Sequence, residues 1–334
     1  MDLKFSIIIP VYNRPNEIDE LLESLTKLAY SRNFEIIIVE DGSNQTSKEV
    51  IKKYQDQLDI VYYYKDNSGP GLSRNFGMQK ATGNYFIILD SDCIVPEQYL
   101  SEVSNSLIEN FTDAFGGPDA SHTSFTPIQK AINYAMTSLL TTGGIRGKKN
   151  TLNKFQPRSF NMGLSLKVFK ETKGFSSQHF GEDIDLTFRL WEKGFETQLI
   201  EKAFVYHKRR VNWKFFFKQV VNFGAARPIL SKQYPNTSKI TYWFPSIFII
   251  GLLGAIACFI IGVKLPIVIY TIYFSLVFID ALLQNKSIPI AIYSICATFV
   301  QFLGYGLGFL RSFIKLHILK KSVKDTFPKM FNET

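Results

Sequence analysis

Short apolar runs alternate, along the first half of the chain, with stretches whose apolar residues recur every three or four positions. Residues 5–9, 35–39, 60–64 and 85–89 are rich in Ile, Val, Tyr and Phe and read as strands. Residues 17–28, 47–55 and 72–80 lie between them with helical spacing. Strands that are apolar throughout bury both faces. They predict an α/β fold with a mostly parallel sheet covered by helices on each side.

The pattern changes after residue 239. Residues 240–263 run for 24 positions without a charge, 265–283 carry only Asp280, and 288–310 carry none. About 20 apolar residues suffice to cross a hydrocarbon core, so these stretches predict C-terminal membrane helices. Gln301 and the glycines at 304, 306 and 308 weaken the third. Lys and Arg are dense both before residue 240 and after 310, which places both flanks on the cytosolic side. Two full spans are therefore expected, with the third segment re-entrant or in the membrane plane.

Charge sharpens this division. Residues 1–200 hold 21 basic and 25 acidic side chains, a balance of −4, whereas residues 201–239 hold 9 and 1. The overall +9 thus belongs to the second half, and the slightly acidic first half disfavours a nucleic-acid partner. A mean hydropathy of +0.02 excludes disorder. No export signal precedes the first strand, so the first 239 residues are expected in the cytosol. Cys93, Cys258 and Cys296 offer neither a disulfide framework nor a metal-spaced pair.

In such a sheet ligands bind beyond the C-terminal strand ends. All four ends are polar here. They lead into Pro10, Tyr12, Asn13 and Arg14; into Glu40, Asp41 and Ser43; into Asp66 through Asn75; and into Asp90, Ser91 and Asp92. Singly, each is an ordinary turn or cap. Together they describe one crevice. Two carboxylates flanking a small residue can hold a hard divalent cation, whose natural partner is a pyrophosphate. Asp41 can accept from a base N–H, the Tyr12 ring can lie on that base, and Arg74 can offer its fork to phosphate or ribose oxygens. The P-loop and dinucleotide glycine patterns are missing, against ATPase and dehydrogenase readings.

Residues 6–14, 39–43, 71–77 and 89–92, followed by Phe160 to Gly163 and Gly181 to Leu186, resemble the family 2 glycosyltransferases in order and spacing. The resemblance covers roughly residues 5–207 and implies the GT-A (Rossmann-like) fold. It implies that Asp41 contacts the base of a nucleotide sugar, with Pro10, Tyr12, Arg14, Arg74, Asp90 and Ser91 also on the donor side. Asp90 and Asp92 would bind Mg2+ or Mn2+, with His207 as a further ligand. Read alone, His207 is equally a surface histidine beside a basic run. Asp183, with Glu182, would supply the catalytic base, and residues 160–163 would lie on the acceptor side. Glu40 stands where the family often has Asp. The processive synthases' Gln-x-x-Arg-Trp signature is missing around residues 219–227, which favours transfer of one sugar per encounter.

The expected organisation is a transferase domain at 1–207, a basic amphipathic interfacial segment at 208–239, membrane helices at 240–310 and a basic cytosolic tail at 311–334. Donor and acceptor choice is expected in the loop at 121–154. The expected function is inverting transfer from a nucleotide-diphosphate sugar to a hydroxyl on a lipid-linked or glycan acceptor, in cell-surface polysaccharide or glycolipid synthesis. The chain is expected to be multi-pass in the inner (plasma) membrane, in contact with membrane lipid. A sugar nucleotidyltransferase and a non-catalytic subunit of a polysaccharide export complex are the alternatives.

Overall fold

A computed structural model describes residues 2–143 and 155–327. Residues 144–154 of the expected specificity loop and 328–334 of the expected tail lie outside the described residues. The chain begins β1 (Phe5–Val11), α1 (Pro15–Leu25), β2 (Glu35–Asp41), α2 (Lys48–Lys52), β3 (Ile60–Lys65) and α3 (Pro70–Lys80). It continues through β4 (Tyr85–Leu89), β5 (Cys93–Ile94), α4 (Tyr99–Glu109), β6 (Ala114–Gly116) and β7 (Asp119–Ala120). Helices α5 (Pro127–Thr137) and α6 (Leu139–Thr142) come next. Then follow β8 (Asn161–Ser165), α7 (Leu166–Thr172), α8 (Glu182–Glu192), β9 (Thr197–Leu199) and β10 (Val205–His207). The remainder is helical: α9 (Trp213–Gln233), α10 (Phe244–Ile260), α11 (Leu265–Asn285) and α12 (Ile288–Phe313).

These elements form two compact units. In the first, seven strands lie in the order β3-β2-β1-β4-β8-β6-β9, and a small second sheet has the order β5-β10-β7. Strands β1 to β4 pair in parallel, while β8 runs antiparallel between β4 and β6. The apolar strands have two interiors to fill. Ile7 and Ile9 join Ile36, Ile38, Ile87 and Leu89 in one cluster, and Ile8 joins Ile37, Val39, Phe86 and Ile88 in the other. Helix α3 approaches the sheet closely because Gly77 has no side chain: a Cβ there would lie 2.6 Å from Ile8 Cγ2. Strand order reverses at β1, whose neighbours are β2 on one side and β4 on the other. That reversal opens a crevice beyond Val11 and Leu89.

The second unit contains α9 to α12, and it also claims α5 and α6. The transferase domain expected as one stretch at 1–207 is therefore interrupted. Within this stretch α5 is amphipathic, and its Ala131, Ile132 and Met136 are buried with Phe216, Val220 and Ala297. Tyr134 and Ser138 donate to Asp280 Oδ2 at 2.7 and 3.1 Å, so the charge in the second apolar stretch is fully engaged.

Among the described residues, three helices are long and apolar enough to cross a membrane: Ile240–Ile260, Leu265–Asn285 and Ile288–Ile318. The glycine-broken third segment expected from sequence is not found. Helix α12 runs unbroken, and its glycines are packing sites instead. A Cβ on Gly308 would meet Val221 O at 2.1 Å, and one on Gly304 would meet Val220 Cγ2 at 2.5 Å. Gly224 of α9 answers them, with Tyr305 O at 2.0 Å from its would-be Cβ. Small residues allow such backbone approach between apolar helices, and this packing outweighs their poor helix propensity.

Candidate active site

The loop after β1 is built around Asn13, which adopts a left-handed φ of 53°. Asn tolerates that conformation better than most residues. From it, the Asn13 side-chain oxygen accepts from the backbone N–H groups of Asn44 and Gln45, and its own N–H donates to Ser43 Oγ. The loops after β1 and β2 are thereby stapled together. Glu40 is fully buried beneath them and accepts from Ser43 Oγ and from Ser47 N at 2.7 Å. It organises the loop and does not face the crevice. Tyr12, by contrast, is 51% exposed, leaving a ring face free.

Asp41 is buried and already has partners. Its oxygens accept from the N–H groups of Ser68 and Gly69, each at 2.9 Å, and from Lys65 Nζ. It thus orders the loop after β3. Sequence reading missed Lys65, which follows the strand as an unremarkable surface lysine. His179 lies close enough for its charge to be felt by Asp41, although burial pushes its imidazole below its ordinary value.

Beyond β4, the two aspartates part company. Asp92 is half-buried, paired with Arg14 on one side and 3.2 Å from His207 Nε2 on the other. Burial by itself would raise its carboxyl, but the His207 and Arg14 charges hold it well below the usual range. The His207 ring stacks on Phe160 at 4.7 Å. Asp90 instead accepts from Arg74 Nη2 at 2.7 Å. Ser91 between them is buried. Arg74 therefore does not hold out its fork to solvent: its Nη1 donates to Glu182 Oε1 at 3.2 Å, and its side chain is 4% exposed.

Among the described residues, Asp92, Cys93 and His207 bring ligand atoms within 4.8 Å of one another. His207 Nδ1 is buried without a hydrogen bond, and Asp92 Oδ1 lies against His207 Nε2 at 3.2 Å. A carboxylate and an imidazole suit a divalent cation such as Mn2+. Adjacent ligands on an octahedral ion of that size stand about 3 Å apart, close to the Asp92–His207 separation. Cys93 fits less well, because burial pushes its thiol up and the S–H donates to Phe160 O. Asp90 lies outside this cluster, contrary to the paired arrangement expected from sequence. The residues present fit a cation on Asp92 and His207.

Glu182 and Asp183 open α8. The N-cap is Gly181, at φ 78°, and makes no side-chain cap bond. Glu182 is 8% exposed, and burial, with Asp183 beside it, pushes its carboxyl up to about 7 despite Arg74. Asp183 Oδ2 lies 3.7 Å from Arg158, a residue sequence reading passed over, and Oδ1 accepts from Ile184 N. Asn161, in the segment expected on the acceptor side, is fully buried, bonding Tyr99 OH and Ala203 O. It ties β8 to α4 and to the segment before β10.

A pH effect follows from Glu182. Its folded-state value lies above the ordinary 4.5, so its neutral form stabilises the fold. That contribution is complete below about pH 4.5 and is lost as pH rises through about 7. Thermal unfolding of Glu182→Gln across this window should show a flatter pH dependence than the parent. Identical slopes would assign the titration elsewhere.

Comparison with known proteins places these features in context. The model of glycosyl transferase family 2 matches residues 6–172, half of the chain. An uncharacterized glycosyltransferase of Rickettsia bellii is 37% identical over 133 residues, covering 40% of this chain but 18% of that protein. The chain thus spans about a fifth of the length of such relatives. A GalNAc(5)-diNAcBac-PP-undecaprenol beta-1,3-glucosyltransferase of Campylobacter jejuni is 24% identical over 231 residues, covering 67% of this chain and 69% of its own. Among solved structures, a mannosyltransferase of Pyrobaculum calidifontis in complex with GDP-Man and Mn2+ superposes with a TM-score of 0.58 at 13% identity, over 93% of this chain and 88% of its own.

Proposed function

Since the chain belongs to glycosyl transferase family 2 and is a glycosyltransferase, we propose that it moves a sugar from a nucleoside-diphosphate donor to a hydroxyl of a lipid-linked acceptor, with inversion at the anomeric carbon. One observation carries this reading. Arg14–Asp92–His207 and Asp90–Arg74–Glu182, with Asp183 next in sequence, all gather in the first unit around the ends of β1 and β4. A donor diphosphate and an acceptor hydroxyl need such neighbouring carboxylates for unlike tasks.

Asp92 and His207, joined by Asp90, would hold a divalent cation. Bound there, it would offset the charge of the departing nucleoside diphosphate. Tyr12 offers its exposed ring to the base, and Asp41 keeps the adjoining loop in shape. Asp183 accepts the proton of the acceptor hydroxyl as that oxygen bonds to the anomeric carbon. The anomeric carbon's bond to phosphate breaks, and its electron pair leaves with the nucleoside diphosphate. The Campylobacter relative's undecaprenol-linked substrate and the Pyrobaculum protein's GDP-Man and Mn2+ support these assignments.

The second unit is suited to holding the enzyme at the cytosolic face of the inner membrane. Helix α9 buries Phe216 and Val220 and exposes Lys214, Phe215 and Lys218, a face suited to anionic headgroups. The test is made on the purified full chain in lipid nanodiscs, with UDP- and GDP-sugars, Mn2+ and a polyprenyl-diphosphate-sugar acceptor. Acceptor-dependent release of nucleoside diphosphate is expected. Release of inorganic diphosphate from a nucleoside triphosphate and a sugar phosphate would identify a nucleotidyltransferase, and no release in either assay would favour the export-subunit reading.

A further inference from the structure

Arg74 and Asn75 are neighbours on α3, and each reaches a distant part of the first unit. Asn75 clamps the backbone of Phe175: its Nδ2 donates to the carbonyl and its Oδ1 accepts from the N–H, both at 2.8 Å. Gly174 makes that possible. It is left-handed at φ 71°, and a Cβ there would lie 2.2 Å from Asn75 Oδ1. The Phe175 ring held in this way faces the Arg74 guanidinium, 5.2 Å from its centroid. Gly71, one turn earlier, keeps α3 close, with Phe175 Cβ 3.2 Å from its would-be Cβ. The arginine is therefore seated before its charge is used.

Its two terminal nitrogens go to different carboxylates, Asp90 at 2.7 Å and Glu182 at 3.2 Å, while the third, Nε, is buried without a partner. Asp90 follows β4 and Glu182 begins α8, 92 positions further along. One planar guanidinium thus fixes the distance between the donor-side carboxylate and the start of the helix that carries Asp183. A lysine cannot reproduce this, since a point charge has no fork with which to span two carboxylates.

We propose that Arg74 is a positioning residue: it competes with the donor's cation for Asp90 and, once displaced from Asp90, keeps Glu182 and the start of α8 in place for transfer. This deepens the reading of Asp90 and Asp183 given above and rests on it. The competing account makes Arg74 a direct phosphate ligand. The two diverge when the arginine is removed. A lost competitor tightens cation binding, whereas a lost phosphate ligand weakens nucleotide binding.

The experiment titrates Mn2+ alone, and then Mn2+ with nucleoside diphosphate, into the full chain by calorimetry for the parent, Arg74→Met, Arg74→Lys and Asn75→Ala. Turnover and thermal midpoints are measured on the same preparations. Arg74→Met is expected to bind Mn2+ several-fold tighter than the parent, with nucleoside-diphosphate affinity within a few-fold. Its kcat should fall about 10²-fold, the scale of a misplacement near 1 Å. Arg74→Lys should follow it, and Asn75→Ala should lose kcat less steeply with Mn2+ affinity unchanged. Unchanged or weakened Mn2+ binding in Arg74→Met, weakened nucleotide binding, or unchanged kcat in both arginine variants, would overturn the proposal. If Arg74→Met does not fold, Arg74→Gln, which also removes the charge, carries the same comparison. A parent that releases no nucleoside diphosphate would refute the transfer reading on which the proposal rests, and the Mn2+ titrations would still tell whether Arg74 contends for Asp90.

Discussion

Asp92→Asn should lower turnover by about 10²–10³-fold, the scale seen when one electrostatic stabiliser of a developing charge is removed. Asn matches Asp in shape, so the loss reports charge. The carboxylate is the shared partner of Arg14 and His207, and with it gone Arg14 is left as a half-buried cation without its ion pair. Two effects must therefore be separated. A weakened fold shows as a lower thermal midpoint without Mn2+, while a lost cation site shows as the disappearance of the midpoint shift that Mn2+ gives the parent. Nucleotide binding should weaken only when Mn2+ is present. EDTA-treated parent enzyme should lose activity and regain it on adding Mn2+. Full turnover in EDTA would remove the cation from the reaction and leave Asp92 as the anchor of Arg14.

Much of the first unit is legible because its strands are simple. A run such as Ile7-Ile8-Ile9 has somewhere to put every side chain only in a sheet covered on both faces, and that context sends polar residues to the strand ends. Asp90 and Asp92 could be placed at the crevice on that reasoning alone. Their separate partners could not. Asp90 is claimed by an arginine that also reaches Glu182, and nothing near residue 74 announces a partner 108 positions away. Asn13 gave a weak signal, being a residue type that tolerates left-handed backbone directly after a strand.

In the second unit the apolar stretches are legible as membrane helices, and only the third departs from expectation, for a different reason. Glycines lower helix propensity, and by that measure Gly304, Gly306 and Gly308 weaken a helix. Their use depends on the backbone of α9, whose Gly224 lies about 80 residues earlier. Helix α5 is obscured in the same way. Its apolar stripe is buried with residues beyond 210, so its sequence gives helix without giving destination.

Asp183→Asn is expected to reduce turnover by about 10²–10⁴-fold, the usual contribution of general acid–base catalysis. Donor affinity should stay within a few-fold, because the nucleotide-side residues Tyr12, Asp41 and Asp92 are untouched. The alternative is that Asp183 merely secures the start of α8. Its Oδ1 does accept from Ile184 N, a bond that Asn reproduces, and Asn is itself a good capping residue. On that account the variant would be nearly silent. The local geometry weakens the account, since Gly181 already occupies the N-cap and Asp183 lies inside the first turn. Its other oxygen is directed toward Arg158, 3.7 Å away, a contact that holds the carboxylate without consuming it. Glu182→Gln should cost less turnover than Asp183→Asn, because Glu182 is buried against Arg74 and acts through position. Single-turnover measurements with saturating donor isolate the chemical step from product release. Near-parental rates for Asp183→Asn in that assay would remove it from proton transfer, and a larger loss in Glu182→Gln would move the base to its neighbour.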